Sequence, residues 1–96
     1  MRVGVVLDAL LDRQGMHLQL ARTRVLEDWA ERVGERIAQV ARPKSVADAT
    51  LFVEVRSSGW LMELDLMKRD ILRRINEGRG EASIEKIVFV LAEEHS

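Results

Sequence analysis

The spacing of apolar and polar residues first changes period along this chain at Pro43. Before that point it is helical. Val3, Val6, Leu7, Leu10 and Leu11 fall on one stripe over residues 3–14, and Gly15 follows as a helix stop. A longer helix is predicted from His17 to Val40. Its stripe carries Leu18, Val25, Leu26, Trp29, Val33, Ile37 and Val40, with Glu27, Asp28, Glu31, Arg32 and Glu35 on the polar remainder. Gly34 inside it costs about 1 kcal/mol relative to alanine, which points to a close helix–sheet approach or a local kink. Pro43 then ends the helical run.

Beyond Pro43 the period drops to two. Ser45–Asp48 reads as a short strand, and Thr50–Arg56 sets Leu51, Val53 and Val55 against Phe52, Glu54 and Arg56. The intervening Asp48-Ala49-Thr50 leaves room only for a tight antiparallel hairpin. Ser57 and Ser58 are N-cap candidates for a third helix, whose inner stripe is Leu61, Leu64, Met67, Ile71, Leu72 and Ile75. Gly78 and Gly80 close it. Ile84–Leu91 is apolar apart from Glu85 and Lys86, the pattern of a strand buried on both sides in the middle of a sheet.

The order is helix–helix–strand–strand–helix–strand, and the economical solution is α+β, with helices packed on one face of a three-stranded sheet. One domain over residues 1–92 with a polar tail at 93–96 is expected; no repeat, low-complexity tract or linker divides it.

Composition narrows the function. The 96 residues hold 47% hydrophobic and 32% charged side chains, too apolar for a disordered chain. No run approaches the roughly 20 apolar residues of a membrane helix, and Asp8 and Asp12 break the N-terminal run before it resembles a signal sequence. With no cysteine, disulfides and thiolate metal sites are excluded, and a soluble cytoplasmic protein is expected. The net charge of −1 gives none of the basic surplus that drives phosphate binding, so any nucleic-acid contact must come from local clustering and be weak and salt-sensitive.

Catalytic kits are missing. His17 and His95 have no partner suggesting a ligand set or general base, and read as exposed. Glu77-Gly78-Arg79-Gly80-Glu81 follows a helix rather than a strand, so it reads as a cap and turn and not as a phosphate loop. Adjacent carboxylates such as Glu27-Asp28 read as solvated, and Ser57 and Ser58 as caps, not nucleophiles. A non-enzyme without metal or cofactor is expected.

Two surface features remain. Wound at 100° per residue, the third helix gathers Met62, Leu66, Arg69 and Arg73 on the side away from Leu64 and Ile71, a candidate docking strip for a partner. The alternative is that the first helix or a self-contact covers it. Lys68, Arg69, Arg73, Arg74 and Arg79 form a basic cluster that could meet nucleic acid, although its place near a helix C-terminus also suits the macrodipole and Asp70 and Glu77 dilute it. Trp29 reads as core, and Trp60 as a rim residue at a helix start.

Taken together, several segments resemble the DciA family: Trp29-Ala-Glu-Arg-Val33-Gly34-Glu-Arg-Ile37-Ala38, then Arg42-Pro43, then Leu51-Phe-Val53-Glu-Val55-Arg-Ser57-Ser58-Gly-Trp60, then Glu63-Leu64, with Leu72, Ile75 and Asn76 downstream. The resemblance runs from about Val3 to Leu91. It implies a fold similar to the K-homology domain and a non-catalytic adaptor that contacts the bacterial replicative helicase during its loading and binds single-stranded or tailed DNA. This chain departs from the pattern in having Val40-Ala41-Arg42 where a histidine often precedes the proline, and Ala49 where the hairpin turn favours glycine. A K-homology site would also use a G-x-x-G loop between two helices, whereas Gly78 and Gly80 are spaced differently and precede a strand. A stand-alone DNA- or RNA-binding module and a homodimerising scaffold are the competing readings.

Overall fold

The structure, a computed structural model, describes residues 15–93. The helix expected over residues 3–14 and the tail histidine His95 lie outside the described residues. The described elements run α1 (15–23), α2 (Val25–Val33), α3 (Glu35–Ala38), β1 (Ala41–Ala47), β2 (Thr50–Val55), α4 (Ser58–Leu66), α5 (Lys68–Asn76), a short 3-10 turn (Gly80–Ala82) and β3 (Lys86–Leu91). The architecture is α+β, with helices packed against a three-stranded mixed sheet.

Several expected boundaries shift. Gly15 is already helical and does not stop a helix there. The long helix from His17 to Val40 is broken at Arg24 and again at Gly34, which takes φ 95° and ψ 158°. That conformation is open to glycine and strained for other residues. A Cβ at Gly34 would meet nothing within 4 Å, so backbone freedom, not close helix–sheet approach, is the reason for a glycine. Helix ends at Ala38, well before Pro43, which instead lies inside β1. Proline is tolerated there because β1 is an edge strand with a bulge between Pro43 and Ser45.

The β1–β2 hairpin is antiparallel and closes with Ala47 opposite Thr50. Asp48 takes the left-handed conformation at φ 53°, which aspartate tolerates better than most residues, so Ala49 need not be glycine. β2 shows the expected alternation, with Leu51, Val53 and Val55 fully buried. β3 runs parallel to β2, with Leu51 paired to Ile87 and Val55 to Leu91. The sheet order β1-β2-β3 therefore puts β2 in the middle and β3 at an edge, correcting the reading of β3 as a central strand. Only Ile87 of its residues is fully buried; Lys86, Val90 and Leu91 are exposed.

The core forms between sheet and helices from Val25, Trp29, Val33 and Ile37, the inner residues of β2, and Leu64, Ile71, Ile75, Ile84 and Ile87. α2 and α3 pack on β1, α4 on β2 and β3, and α5 on α2. Trp29 ties helix to sheet, its indole N–H donating to the Ala41 carbonyl at 3.0 Å. Asn76 closes the α5–β3 connection: its amide donates to the Ile84 carbonyl (2.8 Å) and accepts from the Ile84 N–H (2.7 Å). Both polar groups of that buried backbone are thereby satisfied.

Candidate interaction surface

The candidate residues lie on α4 and α5. Ser57 caps α4, its hydroxyl accepting from the Trp60 N–H at 3.3 Å. The helix expected to continue through Met67 is interrupted there: the Met67 N–H bonds three residues back to Leu64 (3.0 Å), and α5 restarts with Ile71 bonding to Met67 (2.9 Å). No glycine or proline at 66–68 signals this break.

The expected strip consequently sits on two helices. Met62 and Leu66, one turn apart on α4, are 70% and 88% exposed. Arg69 and Arg73, one turn apart on α5, are also exposed. A second such pair, Met16 and Leu20 on α1, is 65% and 60% exposed, but only the α4 pair is followed on the next helix by exposed arginines, Arg69 and Arg73.

The basic cluster is more heavily engaged than its sequence suggests. Lys68 pairs with Asp65 at 2.9 Å and stands 6.0 Å over the Phe89 ring. Asp70 takes both Arg73 and Arg74, the latter at 3.1 Å, and Arg74 also reaches the Val33 carbonyl at 3.4 Å. Arg69 is exposed and in no ion pair among the described residues.

Arg79 leaves the cluster altogether. Its side chain is 7% exposed, and its guanidinium donates to Asp28 and to the Ile75 carbonyl. The physical reason is the C-terminus of α5, whose last carbonyls lack helical partners. Arg79 satisfies Ile75, while Arg32 donates to Arg74 (3.4 Å) and Glu77 (2.6 Å). Cations at that end also complement the macrodipole. These arginines join α2 to α5 and are spent on the fold.

One feature had no signal in the sequence. A groove of about 220 Å³ runs between α3 and α4, with Ile37, Trp60 and Met67 in its wall and Arg36, Glu63 and Arg74 among its polar lining. The Arg36 guanidinium lies 5.7 Å from the Trp60 ring centroid, a cation–π contact between residues 24 apart that periodicity could not anticipate. Trp60 is half-buried, the rim position expected for it, and His17 is exposed.

On the sheet, Glu54 is held below the usual carboxylate range, chiefly by the hydrogen bond from Lys44 at 2.8 Å. Lys44 is correspondingly held above the usual lysine range by that bond. No group of three metal-ligating side chains occurs among the described residues. No helix among them is long and apolar enough to cross a membrane.

Sequence comparison agrees with the resemblance drawn from the motifs. Residues 2–89 match the model of the family described as Dna[CI] antecedent, DciA. A UPF0232 protein of Corynebacterium glutamicum (strain R) is 36% identical over 78 residues, covering 81% of this chain and 44% of that protein. UPF0232 proteins of Rhodococcus jostii and Mycobacterium tuberculosis are 29% and 31% identical, over 88% and 81% of this chain and 45% and 42% of their own lengths. The chain spans less than half the length of these relatives.

Proposed function

The chain belongs to the DciA family, and on that premise we propose that it is a non-catalytic adaptor that contacts the bacterial replicative helicase and assists its loading on DNA. The observation that carries the reading is the exposed apolar pair Met62 and Leu66 on α4, with Arg69 and Arg73 on the following helix. Apolar anchors beside arginine are the composition of protein-binding surfaces. Contact with single-stranded or tailed DNA is the lesser part of the role. It falls to Lys68, Arg69, Arg73 and Arg74, and with Asp65 and Asp70 neutralising half of that charge the affinity is weak and falls steeply with salt. The fold proposed with this role is the K-homology type, without its loop-based nucleic-acid grip: α4 and α5 meet at Met67 alone, leaving no G-x-x-G loop between them.

The test is a parallel titration of the chain against the cognate helicase and single-stranded DNA at two salt concentrations. Leu66→Asp should weaken helicase binding at least about tenfold while leaving the fold unchanged. Arg69→Glu should weaken the DNA arm. Absence of helicase binding by the unaltered chain, or indifference to Leu66→Asp, overturns the proposal.

A further inference from the structure

The two edges of the sheet are unlike. The β1 edge is guarded: Pro43 has no N–H to offer, the ladder is disrupted between Pro43 and Ser45, and Lys44 lies in that bulge. The β3 edge has no proline and no bulge, and its one charged residue, Lys86, stands at the strand start. Within the strand its even-numbered residues face β2, the Lys86 and Ala92 amides donating to Ala49 (3.2 Å) and Val55 (2.8 Å), while Glu85, just before the strand, also donates to Ala49 (2.8 Å). Strand alternation then points the N–H and C=O groups of Ile87, Phe89 and Leu91 away from β2, and no described strand lies beyond them. Val90 and Leu91 are 37% and 51% exposed on this strand.

The sequence along this edge is nearly the same in both directions. Ile87-Val88-Phe89-Val90-Leu91 is apolar throughout and centred on Phe89. Laid antiparallel against a second copy about a two-fold axis through Phe89, Phe89 meets Phe89, Ile87 meets Leu91, and Val88 meets Val90. Only residues of like parity face each other, so the helices of both copies stay on one side of the joined sheet. The outward amides of Ile87, Phe89 and Leu91 fall at the hydrogen-bonded pairs, as an antiparallel ladder requires. Shifting the axis to Val88 would set Lys86 against Val90, and shifting it to Val90 would set Ile87 against Glu93.

We infer that this chain pairs with a second copy of itself edge to edge through β3, in the register centred on Phe89, making one continuous sheet of twice the width. Such a contact is isologous and closed, and it buries too little surface to be tight, so the dimer forms in the micromolar range or above. Glu85 opposes Glu93 at each end of the ladder. Lys68, over Phe89, stands near the axis while paired with Asp65. These like charges across the axis make pairing stronger at higher salt, opposite to DNA binding.

Sedimentation of the purified chain over about 1 µM to 1 mM should show a reversible dimer, with the Phe89 and Leu91 amides exchanging more slowly at the high-concentration end. Leu91→Pro removes an outward N–H that no described bond uses, and Leu91→Lys places a charge at a half-exposed position; each should raise the dimer dissociation constant at least about tenfold. Circular dichroism checks the fold, and should the proline variant not fold, the lysine variant carries the test. Leu66→Asp should leave the dimer unchanged. A chain that stays monomeric throughout, or a dimer indifferent to both Leu91 variants, overturns the inference, as does a dimer lost in Leu66→Asp. None of these outcomes bears on helicase binding, which is read in a separate titration.

Discussion

Replacing Asp28 by alanine tests the role of Arg79, and it also removes the looser ion pair of Asp28 with the part-exposed Arg32 at 3.7 Å. In the folded chain the Arg79 guanidinium is almost out of solvent and has two acceptors, the Asp28 carboxylate and the Ile75 carbonyl. Removing the carboxylate leaves a buried cation with one neutral partner. Breaking a fully buried pair costs about 3–5 kcal/mol. Asp28 is 25% exposed, and water can therefore replace part of what is lost, bringing the expected cost to about 2–4 kcal/mol. A domain of this length has only about 5–14 kcal/mol in total, and the midpoint of thermal unfolding should fall by roughly 10–25 °C. Urea denaturation followed by circular dichroism measures the change. The double replacement Asp28→Ala with Arg79→Met should recover at least half the loss, because no buried unpaired charge remains. A cost for Asp28→Ala within about 0.5 kcal/mol of zero would refute the buried-pair account and return Arg79 to the surface cluster. The same variants bear on DNA: Arg79→Met should leave single-strand affinity of the folded chain within about twofold, whereas a surface phosphate contact would not.

Other outcomes are equally specific. Asn76→Ala removes both hydrogen bonds to the Ile84 backbone and should destabilise by about 2–3 kcal/mol in the same assay. Gly34→Ala should cost about 1–3 kcal/mol for its positive φ, whereas Gly59→Ala, inside α4 with nothing within 4 Å of a new Cβ, should be neutral or stabilising by up to about 1 kcal/mol. An NMR titration should find the Glu54 carboxyl below, and the Lys44 amine above, their usual ranges, both reverting when the partner is removed. Glu54's contribution to stability is present above the ordinary carboxylate pKa and is lost as pH falls through its lowered value; that of Lys44 is present below the ordinary lysine pKa and is lost as pH rises through its raised value.

The parts of the fold legible in the sequence were those governed by local period. The alternation of Leu51, Val53 and Val55, the Ser57 cap and the core placement of Trp29 all follow from rules spanning a few residues. The position of β3 did not follow, because an apolar run looks alike in a central strand and in an edge strand; strand order depends on contacts across the chain. The break at Met67 likewise has no local marker. At the candidate site the exposure of Met62 and Leu66 was legible, since helical winding opposes them to Leu64. The fate of Arg79 was not, because its partner Asp28 is 51 residues away. The Arg36–Trp60 contact was hidden for the same reason.

The parallel pairing of β2 with β3 also sets an order of assembly. β1 and β2 are joined by a tight turn and can zip locally, but β3 reaches β2 only after α4, α5 and the Asn76-locked connection have brought it back. Closing that loop costs entropy before any ladder bond repays it, so docking of β3 belongs to the late, slow phase of folding. Until it arrives, the central strand has one side unpaired. On a ribosome that interval lasts for the synthesis of the helices and of β3 itself, a window in which a nascent chain is open to mispairing or to a chaperone.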